Sequence, residues 1–316
     1  MIFVYIVLGV ILLILLGGAY FGYFRAFYSP KKREIVHGQI PDSEQYQKAK
    51  EHIKDLISYV NSIEFEEIYI RSFDGTMLYG RYYHNADGAP LQILFHGYKG
   101  SAIRDFCGGL LLALQAGFNV IMVDQRAHGK SGGRTISFGI KERYDVLEWV
   151  KYANNRFSDT CPIILTGISM GASTVLMALG VDLPDNVVGV IADCPFSSPS
   201  DIIKTFCKDM GVISFVAYPF AYLGGLLFGG FRLNATGATE TVKNATIPIA
   251  IFHGESDSIV PCDMAKKIHN SYGGKDKFIY TFEGADHGMS YMSDNKKYES
   301  AYNDFVALCI DKYKNK

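Results

Sequence analysis

Ser169 lies between two glycines in the stretch LTGISMGAST, residues 165–174, with a mostly apolar run before it and an apolar, Ala/Leu-rich run after it. A serine hydroxyl is a poor nucleophile at neutral pH. It needs an imidazole to take its proton and later return it to a leaving group. It also needs a carboxylate to fix the imidazole tautomer and stabilise the imidazolium. His287 and Asp257 are the candidates for these roles, with Asp193 the second choice of carboxylate. Each follows a strand-like run: PIILTGIS for Ser169, IPIAIFHGES for Asp257, KFIYTFEGAD for His287 and VVGVIAD for Asp193. Gly167 and Gly171 permit the tight turn and close helix–strand packing that a strained nucleophile requires. The turn would also put the Met170 N–H at a helix N-terminus, where it can stabilise an oxyanion. The chemistry implied is acyl transfer through an acyl-enzyme. A Gly-x-Ser-x-Gly pattern is short and occurs by chance, so the elements around it must decide.

Those elements alternate. FEEIYIRS and LYGRYYH read as strands joined by the Asp74-Gly75 turn. LQILFHG, NVIMVDQR, PIILTGIS, VVGVIADCP, IPIAIFHGESD and KFIYTFEGADHG read as further strands. Helices are expected at Ala102–Ala116, Ile140–Asn155, Ala172–Gly180, 262–272 and 295–313. Near-continuous apolar strands alternating with helices argue for an α/β fold with a mostly parallel, doubly wound sheet covered on both faces. In such a sheet, sites form at the C-terminal ends of the strands, where each candidate falls. The alternation breaks between Asp193 and Ile247, too long a gap for an ordinary loop, which implies an inserted subdomain at about 196–245.

Residues 2–24 carry no charge, and a run of this length can span a bilayer core as a helix. A cleaved signal peptide would need a basic start and a shorter apolar core. The expected organisation is an anchor at 1–25, a stalk or lead-in helix at 26–62 and a catalytic domain at 63–316. Ile53, Leu56, Ile57 and Val60 would give the lead-in helix one apolar face. Arg25, Lys31, Lys32 and Arg33 follow the anchor, which places the catalytic domain in the cytoplasm by the positive-inside rule. The sequons at Asn234 and Asn244 would argue the other way in a secretory eukaryotic setting. Net charge is −1, from 31 basic and 32 acidic residues, so no field favours a nucleic-acid partner. Cys107, Cys161, Cys194, Cys207, Cys262 and Cys309 are scattered, with neither disulfide-framework nor zinc spacing, and free thiols are expected.

Five motifs in register resemble the α/β-hydrolases, in the branch that holds monoacylglycerol-lipase-like, lysophospholipase-like and serine-aminopeptidase-like members. They are HGYKGS at 96–101, DQRAHGKSGG at 124–133, GISMG at 167–171, HGESDSIVP at 253–261 and GADHG at 284–288. The resemblance covers about residues 65–310. It implies an α/β-hydrolase fold with a helical lid, a Ser169–His287–Asp257 triad, and a second oxyanion N–H from Tyr98 beside that of Met170. It also implies structural roles for Asp124, Arg126 and His128. Position 127 is Ala where relatives often have Gly. His96 and His253 are expected to be buried and hydrogen-bonded, Asp286 a loop carboxylate and Cys194 an inert thiol.

Residues 212–231 carry no charge. They are read as an apolar lid interrupted at Pro219 and Gly224-Gly225. A second membrane span and a lid resting on the bilayer are the alternatives. The function expected is a membrane-anchored serine hydrolase that cleaves a carboxylic ester, lipid-like or otherwise small, with no metal or organic cofactor. Peptidase, thioesterase and acyltransferase chemistry share the same triad. The contrasting reading is a non-catalytic, membrane-tethered hydrolase fold used for binding. The oligomeric state is left open.

Overall fold

The computed structural model describes residues 1–30, 40–208 and 214–315. Lys31, Lys32, Arg33, part of the expected lead-in segment and residues 209–213 of the expected insertion lie outside the described residues. Among those described, eight strands form one sheet: β1 (Glu66–Arg71), β2 (Met77–Tyr83), β3 (Leu91–Phe95), β4 (Asn119–Asp124), β5 (Ile163–Ile168), β6 (Val187–Asp193), β7 (Ile249–Gly254) and β8 (Lys277–Phe282). Their order is β1-β2-β4-β3-β5-β6-β7-β8. β2 pairs antiparallel with β1 and β4, and every other pairing is parallel. The central strands β3, β4, β6 and β7 are buried at every position, which is why they read as apolar runs rather than alternations.

The helices are α1 (Ile2–Ala26), α2 (Glu44–Lys48), α3 (Lys50–Ser62), α4 (Ala102–Asp105), α5 (Cys107–Gln115), α6 (Glu142–Arg156), α7 (Met170–Ala178), α8 (Pro199–Lys208), α9 (Ser214–Gly224), α10 (Ala238–Thr241), α11 (Cys262–Ser271), α12 (Ser290–Ser293) and α13 (Asn295–Lys314). Two apolar cores fill the sheet's faces. One gathers α6, α7 and the insertion around Trp149 and Phe138; the other gathers α3, α5 and α13 around Phe106 and Phe305. Ile53, Ile57 and Val60 of α3 are buried in the second core, so this helix packs on the sheet domain.

Three expectations are corrected. The helix expected at 102–116 divides at Phe106, whose backbone leaves helical geometry. The helix after Ser169 begins at Met170 rather than Ala172. Helix α9 runs through Pro219 instead of breaking there. A proline removes one i→i−4 hydrogen bond, and here the loss is confined to the carbonyl of Phe215 in an early turn. After Gly224 the helix widens into a π turn, Gly225–Gly229, closed by Gly230 at φ 66°.

Helix α1 is long, uncharged before Arg25 and exposed over most of its length, and it is a candidate membrane span. Its C-terminal end is built into the domain. Phe27 is fully buried, edge-on to Phe138 and Phe231 at ring distances of 6.0 and 5.1 Å. The Ile136 N–H donates to the Phe27 carbonyl at 2.8 Å, and the Ser29 N–H to that of Arg134 at 2.8 Å.

Candidate active site

The sharpest local feature is the turn at Ser169, which holds φ 55° and ψ −116°. A non-glycine residue adopts such a backbone only when its surroundings impose it. The flanking glycines show how. A Cβ on Gly171 would lie 1.8 Å from the Phe95 carbonyl oxygen, and one on Gly167 would lie 2.2 Å from the Gly171 carbonyl carbon. Only glycine lets α7 approach β3 and β5 so closely. The turn is tied to the neighbouring strand by the Ser169 N–H, which donates to the Asp193 carbonyl at 2.8 Å.

The three candidates meet. Ser169 Oγ lies 2.9 Å from His287 Nε2, and His287 Nδ1 lies 2.8 Å from Asp257 Oδ2. With a carboxylate at Nδ1, that nitrogen carries the proton and Nε2 is left to accept one from the serine. Burial alone would push the Asp257 carboxyl up. Hydrogen bonds from His253, His287 and the Val260 N–H outweigh it and hold the group below the usual carboxylate range. The carboxylate therefore stays charged.

Asp193, the second-choice carboxylate, faces elsewhere: it accepts from Ser290 Oγ at 3.3 Å and from Tyr298 Oη at 3.1 Å. Its burial without a paired cation pushes it up to about 6. Cys194 holds φ 47°, and its Sγ stands 4.0 Å from His287 Nε2. Burial raises that thiol well above its ordinary value, followed by the charges of Asp193 and Asp257. Cys194, Asp257 and His287 offer ligand atoms within 4.8 Å of one another. Asp257 holds the Nδ1 edge of the ring while Cys194 faces the Nε2 edge.

His96, His128 and His253 hold loops. His96 Nε2 accepts from the Gln125 N–H at 3.1 Å, so its Nδ1–H donates to the Gly97 carbonyl at 2.8 Å. His128 Nε2 accepts from the Lys99 N–H at 3.0 Å. The two rings pack edge to face at 4.7 Å, joining the loop after β3 to the loop after β4. His253 donates from Nε2 to the Val260 carbonyl at 2.8 Å and lies 3.2 Å from Asp257, behind the carboxylate. Arg126 forms a buried fork on Asp145, both contacts 2.6 Å, and reaches Asp74 at 2.8 Å. Asp124 accepts from the Lys130 N–H at 2.9 Å. Asp286 accepts from the N–H groups of Ser258 at 3.0 Å and His287 at 2.8 Å, fastening the two loops that carry Asp257 and His287.

Tyr98 and Met170 both border the cavity above Ser169, and the Met170 N–H is the first of α7, where no intrahelical acceptor exists. The cavity encloses about 360 Å³, within the range of small-molecule sites. Phe138, Phe196, Ile202 and Phe206 of the first core line it, as do Tyr46 and Tyr291, which pack on the second.

Several supports were not read from the sequence. Asp105 Oδ2 accepts from the Gly97 N–H at 2.9 Å and holds the Tyr98 loop. Gln45 of α2 accepts from the Asp286 N–H at 3.0 Å and donates to the Gly284 carbonyl at 2.6 Å, bracing the His287 loop. Tyr98 Oη donates to the Ala26 carbonyl at the end of α1, at 2.8 Å. Only the acidic first turn after Ser101 hinted at Asp105; contacts spanning 72 to 241 residues carry no local signal.

Comparison with known proteins agrees with this architecture. A family model described as the alpha/beta hydrolase fold matches residues 90–208. An esterase of Pyrococcus furiosus superposes with a TM-score of 0.65 at 23% identity, over 81% of this chain and 93% of that one. The chain has the α/β-hydrolase fold. Among curated relatives, the uncharacterised protein YqkD of Bacillus subtilis is 29% identical over 196 residues, 62% of this chain and 64% of that protein. A lysophosphatidylserine lipase of Rattus norvegicus is 24% identical over 188 residues, 58% of this chain and 46% of that protein. The chain thus spans less than two thirds of the length of both.

Proposed function

We propose that the protein is a membrane-anchored serine hydrolase that cleaves a carboxylic ester of an apolar, lipid-like acid. One observation carries the reading: the unbroken chain from Ser169 Oγ through His287 to Asp257, at 2.9 and 2.8 Å, beneath an apolar cavity. Ser169 attacks the ester carbonyl as His287 Nε2 takes its proton. The N–H groups of Met170 and Tyr98 receive the oxyanion, and Asp257 stabilises the imidazolium. His287 then protonates the departing alcohol. Water, deprotonated by the same nitrogen, releases the acid and restores the serine. In this reading helix α1 is the anchor, and the basic residues Arg25, Lys31, Lys32 and Arg33 after it favour a cytoplasmic catalytic domain by the positive-inside rule. The Phe- and Ile-lined wall favours an acyl chain over a polar acid. The similarity to a lysophosphatidylserine lipase supports the lipid-like class.

The test is turnover of a graded series of acyl esters by the full-length protein and by Ser169→Ala. The wild type should prefer medium or longer acyl chains, and the variant should lose about three or more orders of magnitude in kcat with its fold intact. Equal turnover by both would remove Ser169 from the reaction. No turnover of any ester by folded wild type would favour a binding role or a different acyl bond.

A further inference from the structure

We infer that the lid is itself a membrane element: α9 and the following π turn seat in the interfacial layer of the same bilayer that α1 crosses. This rests on the reading of α1 as an anchor and extends it to a second segment. The two helices share one closely packed face. A Cβ on Gly22 would lie 2.7 Å from the Phe220 carbonyl oxygen, and one on Gly224 would lie 2.4 Å from that of Ala19. Gly18 receives the Phe220 ring in the same way. Small residues that bring helix backbones together are the means by which helices associate in lipid, where no hydrophobic force separates them from their solvent.

The level of that contact along α1 sets the depth. At about 1.5 Å per residue a helix of this length reaches about 37 Å, against a hydrocarbon core of about 30 Å. Counting from Ile2, residue 22 reaches about 30 Å, so residues 18–23 occupy the last turn of the core and its edge. Tyr20, Tyr23 and Phe24 stand at that level, as interfacial aromatics do, with Arg25 just beyond. Among the described residues, Phe215–Gly229 is shorter than the helix needed to span a bilayer. Residues 214–231 carry no charge. Phe228 packs on Tyr20 and Tyr23 at ring distances of 5.4 and 6.1 Å, so the apolar surface of α1 continues without a gap onto the lid. Leu227, next to Phe228, remains 54% exposed, and Phe215 is 77% exposed beside Lys204 and Lys208 of α8. An apolar face of that kind, continuous with a spanning helix, fits the acyl–headgroup boundary of a phospholipid leaflet.

The consequence reaches the site. Lys141 Nζ donates to the Gly229 carbonyl at 2.9 Å, and Tyr98 Oη to that of Ala26 at 2.8 Å. The membrane-seated unit is therefore tied to the catalytic domain at Lys141, through the lid's end, and at the Tyr98 loop, through the end of α1.

The experiment places single tryptophans in the full-length protein, reconstituted in phosphatidylcholine vesicles brominated either near the glycerol end or near the chain terminus. Wild type, whose Trp149 is buried in the core, gives the baseline. Leu227→Trp and Phe215→Trp should each lose most of their added emission to the shallow bromine and little to the deep one. Leu13→Trp should be quenched by the deep bromine. Quenching at Leu13→Trp with none at either lid position overturns the inference and leaves the anchor standing. Lid tryptophans that escape lipid bromine yet turn blue only at high protein density assign the surface to a second copy, which also overturns it. No quenching at any of the three removes the anchor reading as well.

Discussion

At the scale of the residue, Ser169, His287 and Asp257 were legible because each stands just after a strand-like run, in an order that resembles the α/β-hydrolases. Their surroundings were not. Asp193 looked like a rival carboxylate, and its ionic state depends on burial that no local pattern reveals. Its value of about 6 in the folded chain, against 3.8 for an ordinary Asp, has a definite sign. Below about pH 4 the group is protonated in both states and contributes nothing. As pH rises to about 6 the unfolded chain releases the proton first, so the folded state is disfavoured by up to about 3 kcal/mol. Asp193→Asn keeps an acceptor for Tyr298 and Ser290 without the charge. It should raise the thermal midpoint at pH 8, with the gain fading at pH 4; an equal change at both pH values would contradict this origin.

At the scale of the element, each strand begins within two residues of its expected start, because the central strands are unbroken apolar runs, but the runs expected for β7 and β8 extend three and six residues past the strand ends into the loops that carry Asp257 and His287. Helix ends were read less well. The Phe106 break and the continuity through Pro219 depend on what each helix packs against, and propensity does not contain that information. Loop conformation was visible only as an oddity at Ala127, where relatives often carry glycine. Ala127 holds φ 63°, and its N–H donates to the Gly132 carbonyl at 2.7 Å. The left-handed region costs an L-residue about 1–2 kcal/mol. Ala127→Gly should therefore raise unfolding free energy by about 1 kcal/mol, after the greater freedom of glycine in the unfolded chain is subtracted. A loss of stability in a denaturant titration would show that the alanine methyl is held by packing instead.

For the whole molecule, the sequence suggests three successive segments: anchor, lead-in and catalytic domain. In the folded chain they touch. Gln45 and Tyr46 of the lead-in reach the His287 loop and the cavity. The end of α1 is an integral part of the first core through Phe27. None of this could be seen in a window of sequence, because the partners lie roughly a hundred or more residues away. Phe27→Ala should cost about 3–5 kcal/mol, the usual loss for emptying a buried aromatic site. Thermal unfolding of the full-length protein in micelles reads this directly. An unchanged midpoint would mean that the anchor hangs free of the domain.

The central claim is that Ser169 is activated by its neighbours, and the most direct measurement is covalent labelling by a fluorophosphonate on the full-length protein in detergent. One adduct per chain, located at Ser169 by peptide mass and absent from Ser169→Ala, is the predicted result. Equal labelling of folded wild type and variant, or an adduct on another serine, would contradict it.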